Sequence, residues 1–162
     1  MTKEELGTLI ISSQESLYRI AKSLLRSDAD CADAIHEAIV KSFEGLPQLK
    51  NDEFAKTWLV RILLNECYKT LRKSKTVVSF EAVAEKNYCP SYETRDYSDL
   101  YTALSKLPDN MRAAVSLYYA EGFSVREIAL IEETTESAVK NRLFKARAKL
   151  KDMLEEKEVV NI

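Results

Sequence analysis

An all-α fold is what this sequence predicts, and three observations carry the prediction. Apolar residues recur at helical rather than alternating spacing in nearly every run. Only three Gly and three Pro interrupt the 162 residues. Two Ser/Thr-x-x-Glu capping boxes, Thr2 with Glu5 and Ser124 with Glu127, stand where helices would begin. From Ser74 to about Tyr97 the helical period is lost in a polar, acidic stretch around Pro90. A compact domain rarely tolerates ~20 residues without structure of their own. The chain therefore reads as two small helical domains, 1–75 and 98–162, joined by a flexible acidic linker at 76–97.

Behind the Thr2 box, Leu6, Leu9, Ile10, Leu17, Ile20, Ala21 and Leu24 share one face of a first helix that ends near Ser27. Asp28 can cap a second helix, with Ala32, Ile35, Ile39 and Phe43 inward and Asp33, His36, Glu37 and Lys41 outward. Gly45 suits its C′ position, and residues 46–53 read as a loop whose Asp52 can cap the next helix. That third helix, about Phe54 to Lys73, gathers Ala55, Leu59, Ile62, Leu63 and Cys67 on one side. Arg61, Asn65, Tyr68, Arg72 and Lys75 fall opposite, with Phe54 and Trp58 at the edge of that stripe. Beyond the linker, Leu100, Ala103, Leu104 and Leu107 restart the pattern, Pro108 interrupts it, and Asp109 to about Ala120 forms a helix closed by Gly122.

The last stretch, Ser124 to Leu150, reads as a short helix, a tight turn and a long helix. Ile128, Ala129 and Ile131 give the first an apolar side; Glu132, Glu133 and Thr134 break the pattern. Thr135 then offers a second cap, and Val139, Leu143, Ala146, Leu150 and Leu154 form one face. Ser137, Lys140, Asn141, Phe144 and Lys145 lie on the other side, with Arg147 and Lys149 further along. This is the layout of a helix-turn-helix, whose second helix enters the major groove of DNA. An ordinary helical hairpin with a solvated basic face satisfies the same spacing.

A net charge of −2 does not suggest a nucleic-acid partner, but the distribution does. Between Phe54 and Lys75 six basic residues (Lys56, Arg61, Lys69, Arg72, Lys73, Lys75) accompany one acid, Glu66. Two basic segments separated by an acidic one imply two sites of DNA contact. On the third helix, cations can hold phosphates, Asn65 can meet a base edge, and the rings can stack on an exposed base. For Trp58, core packing and base stacking stay open as alternatives.

Other function classes find less support. Cys31, Cys67 and Cys89 are odd in number and far apart, which fits a reducing cytoplasm better than a disulfide framework. They lack metal-ligand spacing, and His36 is the only histidine. No apolar run approaches the ~18 residues of a membrane span, and there is no signal-peptide core. No Gly-rich phosphate loop or paired acids offer an enzyme mechanism. A stand-alone helix-turn-helix regulator, with the first domain as sensor or dimerisation unit, is the competing reading.

The two halves together resemble a bacterial RNA polymerase sigma factor of the sigma-70 family, in its extracytoplasmic-function class. The resemblance rests on LYRIAKSLL, on DAIHEAIVKSF with Asp33, Glu37 and Phe43, and on FAKTWLVRILLNECYKTLRK in the first half. In the second half it rests on LPDNMRAAVSLYYAEGFSVREIA and SAVKNRLFKARAKL. It implies that Asp33, His36, Glu37 and Lys41 dock on the β′ clamp helices of core RNA polymerase, with the β flap as a further contact. It implies that Trp58, Arg61, Asn65, Tyr68 and Arg72 act at the −10 element, where a flipped base is captured. Ser137, Lys140, Asn141, Phe144 and Lys145 would face the −35 element. Promoter DNA and an anti-sigma factor are the other implied partners; no cofactor is implied, and catalysis belongs to the polymerase. Two positions depart from the family. Phe43 stands where Trp is frequent, and Glu132-Glu133-Thr134 stands where Leu-Gly-Ile is common. A Glu at a left-handed turn position costs about 1 kcal/mol, unless the turn has another geometry. The two acids there would also weaken −35 contact.

Overall fold

The computed structural model describes residues 1–77 and 98–160, and every regular element among them is helical. The chain divides into two compact units, Met1–Tyr88 and Cys89–Ile162. The expected linker lies outside the described residues except for 76 and 77, which continue a helix; Cys89 lies outside them too.

In the first unit both bonds of the Thr2 box form: Thr2 Oγ1 accepts from Glu5 N–H at 3.1 Å, and the Glu5 carboxylate accepts from Thr2 N–H at 2.7 Å. They start α1 (Lys3–Ser12). The single helix expected as far as Ser27 is instead two, because buried Ser13 (φ −102°, ψ 3°) kinks the chain before α2 (Gln14–Leu24). Ser12 donates its hydroxyl to Leu9 C=O at 3.0 Å, and Ser13 N–H is shared between Leu9 and Ile10 carbonyls. Serine hydroxyls that compete for helix carbonyls bend helices in this way. Leu6, Ile10, Leu17, Ile20, Ala21 and Leu24 are buried as expected.

The cap of α3 (Asp28–Gly45) is Ser27, whose Oγ accepts from Asp30 N–H at 3.0 Å. Asp28 is occupied elsewhere, by Lys22 Nζ at 2.5 Å and the Tyr18 hydroxyl at 2.7 Å. These two donors, the lysine foremost, hold its carboxyl below the usual aspartate range. The inward face of α3 is Cys31, Ala34, Ala38 and Ser42, with Ile35, Ile39 and Phe43 half-buried and Ala32 exposed. The expected face is thus turned by one residue. Small side chains let helix axes approach, and the interaxial distance is set by what stands at the contact. Gly45 ends the helix at φ −89°, a right-handed conformation rather than the left-handed C′. Two 3₁₀ turns, Leu46–Gln48 and Asp52–Phe54, then lead into α4 (Ala55–Val77). Asn51, not Asp52, caps the second turn, accepting from Glu53 N–H at 3.0 Å. Packing is most extensive between α3 and α4, with α2 against both. Ala55, Leu59, Val60, Leu63, Leu64 and Cys67 supply the buried side of α4.

In the second unit α5 (Ser98–Ser105) precedes Pro108 and α6 (Asp109–Val115). The last turn of α6, Ser116–Ala120, widens to a π turn, with Glu121 N–H on Ser116 C=O at 3.1 Å. Gly122 closes it at φ +73°. The Ser124 box then forms in full and starts α7 (Val125–Ile131), after which comes α8 (Glu136–Val160). Val139, Leu143 and Ala146 of α8 are buried under α5, α6 and α7.

Candidate nucleic-acid interface

The turn between α7 and α8 decides how the long helix is presented. Glu132 N–H bonds to Ile128 C=O at 2.8 Å, and Thr134 N–H reaches back to Ala129 C=O at 3.0 Å. That six-to-one bond is a Schellman closure, which needs a left-handed residue at C′. Glu133 occupies the position at φ +54°. The cost anticipated for Glu in place of Gly is therefore real. The turn keeps its geometry, and Glu133 carries the strain. Glu132 is not an outward acid. Its side chain is only 8% exposed and lies 4.0 Å from Arg142 Nη1 on α8. One exposed carboxylate, not two, comes from this turn.

Thr135 caps α8 as expected, its Oγ1 accepting from Ala138 N–H at 3.1 Å. Ser137, Lys140, Asn141, Phe144 and Lys145 are all exposed on one side of the helix. Phe144 is 67% exposed in the middle of this polar group. Leaving an apolar ring of that size in water gives up roughly 1.5–3 kcal/mol of burial, which a covering partner recovers. Arg147 continues the same side, and its Nη1 donates to the Tyr119 hydroxyl at 2.8 Å. The sequence alone gives no sign of this bond, because it crosses 28 residues between elements.

In the first unit the second group is set out along α4. Arg61, Asn65, Tyr68 and Arg72 recur at four, three and four residues on one unbroken helix, so they share a side. Asn65 and Arg72 are exposed; Arg61 and Tyr68 are half-buried. Trp58 is half-buried at the start of the stripe. A Cβ added at Gly45 would stand 3.5 Å from its Cζ2, so the indole lies over the end of α3. Neither alternative for Trp58 excludes the other, since one part of the ring packs and another faces out. Phe54, 43% exposed, stands near it in sequence at the end of the 3₁₀ turn.

On α3, Asp33, His36 and Glu37 are exposed. Lys41, on the same face, is also engaged within the unit. It is half-buried and pairs with Glu66 of α4, whose side chain is only 9% exposed. The hydrogen bond to Glu66 raises the Lys41 ammonium above the usual lysine range. Sequence reasoning misses this partner, although a lone acid among six cations between Leu63 and Cys67 is the kind of residue that a buried pair recruits. Cys31 and Cys67 are buried, and burial pushes their thiols up, to about 11 and about 12. Among the described residues no helix is long and apolar enough to cross a membrane.

Comparison with known proteins agrees with this layout. Residues 9–77 match sigma-70 region 2, and residues 97–150 match sigma-70 region 4. The chain is 30% identical over 147 residues to RNA polymerase sigma factor SigV of Bacillus subtilis, covering 90% of this chain and 88% of the relative. It is 30% identical over 141 residues to ECF RNA polymerase sigma factor SigM of Mycobacterium tuberculosis, covering 85% and 71%. Among solved structures it is similar to the sigma factor RpoE of Bartonella quintana in complex with the anti-sigma factor NepR. There the TM-score is 0.78 at 26% identity, over 94% of this chain and 98% of that one. A first unit that matches region 2 is not the sensor of a stand-alone regulator. With one unit matching each region, the chain belongs to the sigma-70 family of RNA polymerase sigma factors, in the extracytoplasmic-function class.

Proposed function

We propose that this sigma factor divides promoter recognition between its two units, with boundaries near 1–75 and 98–162 and a linker, 76–97, that avoids DNA. The first unit docks on the β′ clamp helices of core RNA polymerase through Asp33, His36, Glu37 and Lys41, the last also paired with Glu66 of α4. It engages the −10 element with Trp58, Arg61, Asn65, Tyr68 and Arg72. The second unit contacts the β flap and reads the −35 element with Ser137, Lys140, Asn141, Phe144 and Lys145. The chain performs no chemistry of its own and acts in the cytoplasm, where the polymerase is.

The observation that supports this most is the presence of one cation-amide-aromatic face in each unit, on α4 and on α8. Cations answer phosphates, the amides Asn65 and Asn141 suit base edges, and exposed rings suit stacking or thymine methyl contact. An anti-sigma factor is a further partner, by analogy with the complex of the Bartonella relative. Transcription from purified core polymerase with this protein tests the reading. Promoter-dependent transcripts that disappear with Asn65→Ala and Lys140→Ala support it; no transcript from any library of −35/−10 pairs sinks it.

A further inference from the structure

Arg147 and Tyr119 form a feature that the −35 reading does not absorb. Arg147 comes seven residues after Lys140 and three after Phe144, which places it at the edge of the outer side of α8. Tyr119 comes from the π turn that ends α6, a kind of turn that often marks functional sites. Tyr119 is 55% exposed, and its ring stands edge-on to Tyr118, with centroids 4.9 Å apart and planes at 83°. The hydroxyl accepts from Arg147 Nη1 at 2.8 Å. A tyrosine hydroxyl that accepts one bond still has its own hydrogen to donate, and a guanidinium has five N–H donors in all. The pair therefore presents several donors to water and holds a rotamer-rich side chain in one place. Phosphate oxygens, which only accept, are the complementary ligand beside a base-reading helix.

We propose that Arg147 contacts a DNA phosphate flanking the −35 element, with Tyr119 the positioning residue that holds its guanidinium in place. The assignment rests on α8 being the −35 helix. Pre-fixing the guanidinium reduces the side-chain ordering that binding would otherwise require.

Holoenzyme, assembled from core polymerase and the full chain, is titrated with a labelled promoter duplex across a range of KCl. Arg147→Gln is expected to lower the salt slope of log affinity by about 1, the signature of one lost phosphate contact. Tyr119→Phe, which keeps the ring, is expected to weaken binding about threefold in the wild-type chain and to add almost nothing on top of Arg147→Gln. Both variants should melt with the wild type. Additive effects of the two changes would overturn the positioning role, and early melting of both would make the pair a structural tie instead. Lys140→Ala separates the two levels of the argument. If it lowers the slope while Arg147→Gln does not, the phosphate proposal fails and the −35 helix stands. If neither lowers it, the α8 reading has failed and the proposal falls with it.

Discussion

Glu133 is the one described residue other than glycine held at positive φ, and it sits in the turn between α7 and α8. A left-handed conformation costs an L-residue roughly 1–2 kcal/mol, and glycine's larger unfolded-state freedom returns part of that. Glu133→Gly should therefore raise the stability of the second unit by about 0.5–1 kcal/mol in urea or thermal unfolding. A neutral or destabilising result would mean that the carboxylate makes interactions worth as much as the strain. The cysteines are the opposite case, residues whose surroundings silence them. Cys31 and Cys67 are fully buried, with thiols raised to about 11 and about 12, so little thiolate is present near neutrality. Alkylation at about pH 8, near the ordinary thiol range, with peptide mapping should leave both unmodified in the folded protein and modify both in denaturant.

At the scale of elements, the Lys41–Glu66 pair ties α3 to α4, and its two ends are unequally placed. Lys41 can turn to water if Glu66 is neutralised, whereas Glu66 cannot leave the interface if Lys41 is removed. Lys41→Ala should thus destabilise the first unit by about 1–2 kcal/mol, more than Glu66→Gln, in chemical denaturation. The raised ammonium sets the sign of the pH dependence. Its contribution is complete below the ordinary lysine range and is lost as pH rises through the folded value. Asp28 runs the other way. Its lowered carboxyl contributes above the ordinary aspartate value of about 3.9 and stops contributing as pH falls through the folded value. Asp28→Asn should flatten the acid limb of the unfolding profile. Much of this is legible in the sequence. The capping boxes at Thr2 and Ser124 and the buried face of α8 are set by local chemistry, which a sequence displays directly; the cost at Glu133 is legible only through the family's Gly at that turn. The kink at Ser13, the turned face of α3 and the engagement of Glu132 with Arg142 are not. Apolar periodicity weighs large side chains, while close helix contact selects small ones, and ion pairs between elements leave no spacing to read.

At the scale of the whole molecule, the function depends on surfaces that the fold leaves uncovered. Asp33 and Glu37 are exposed on α3, so reversing both to Lys should leave the melting temperature unchanged. Affinity for core polymerase should fall about tenfold or more, since like charges set against one another are expensive at an interface. Fluorescence titration of core enzyme with labelled protein measures it, and unchanged affinity would remove this surface from the docking assignment. An anti-sigma factor that competes with polymerase should lose affinity for the same variant if it covers α3.

The extensive packing of α3 on α4 has a consequence in mechanics. Closely packed interiors have low compressibility and pass displacement on rather than absorbing it. With small residues along the contact and an ion pair across it, the two helices behave as one stiff lever. One arm carries the acids proposed to dock on polymerase and the other the stripe proposed to meet the −10 element. A load applied by the polymerase to Asp33 and Glu37 would be delivered to Asn65 and Arg72 with little lost to bending.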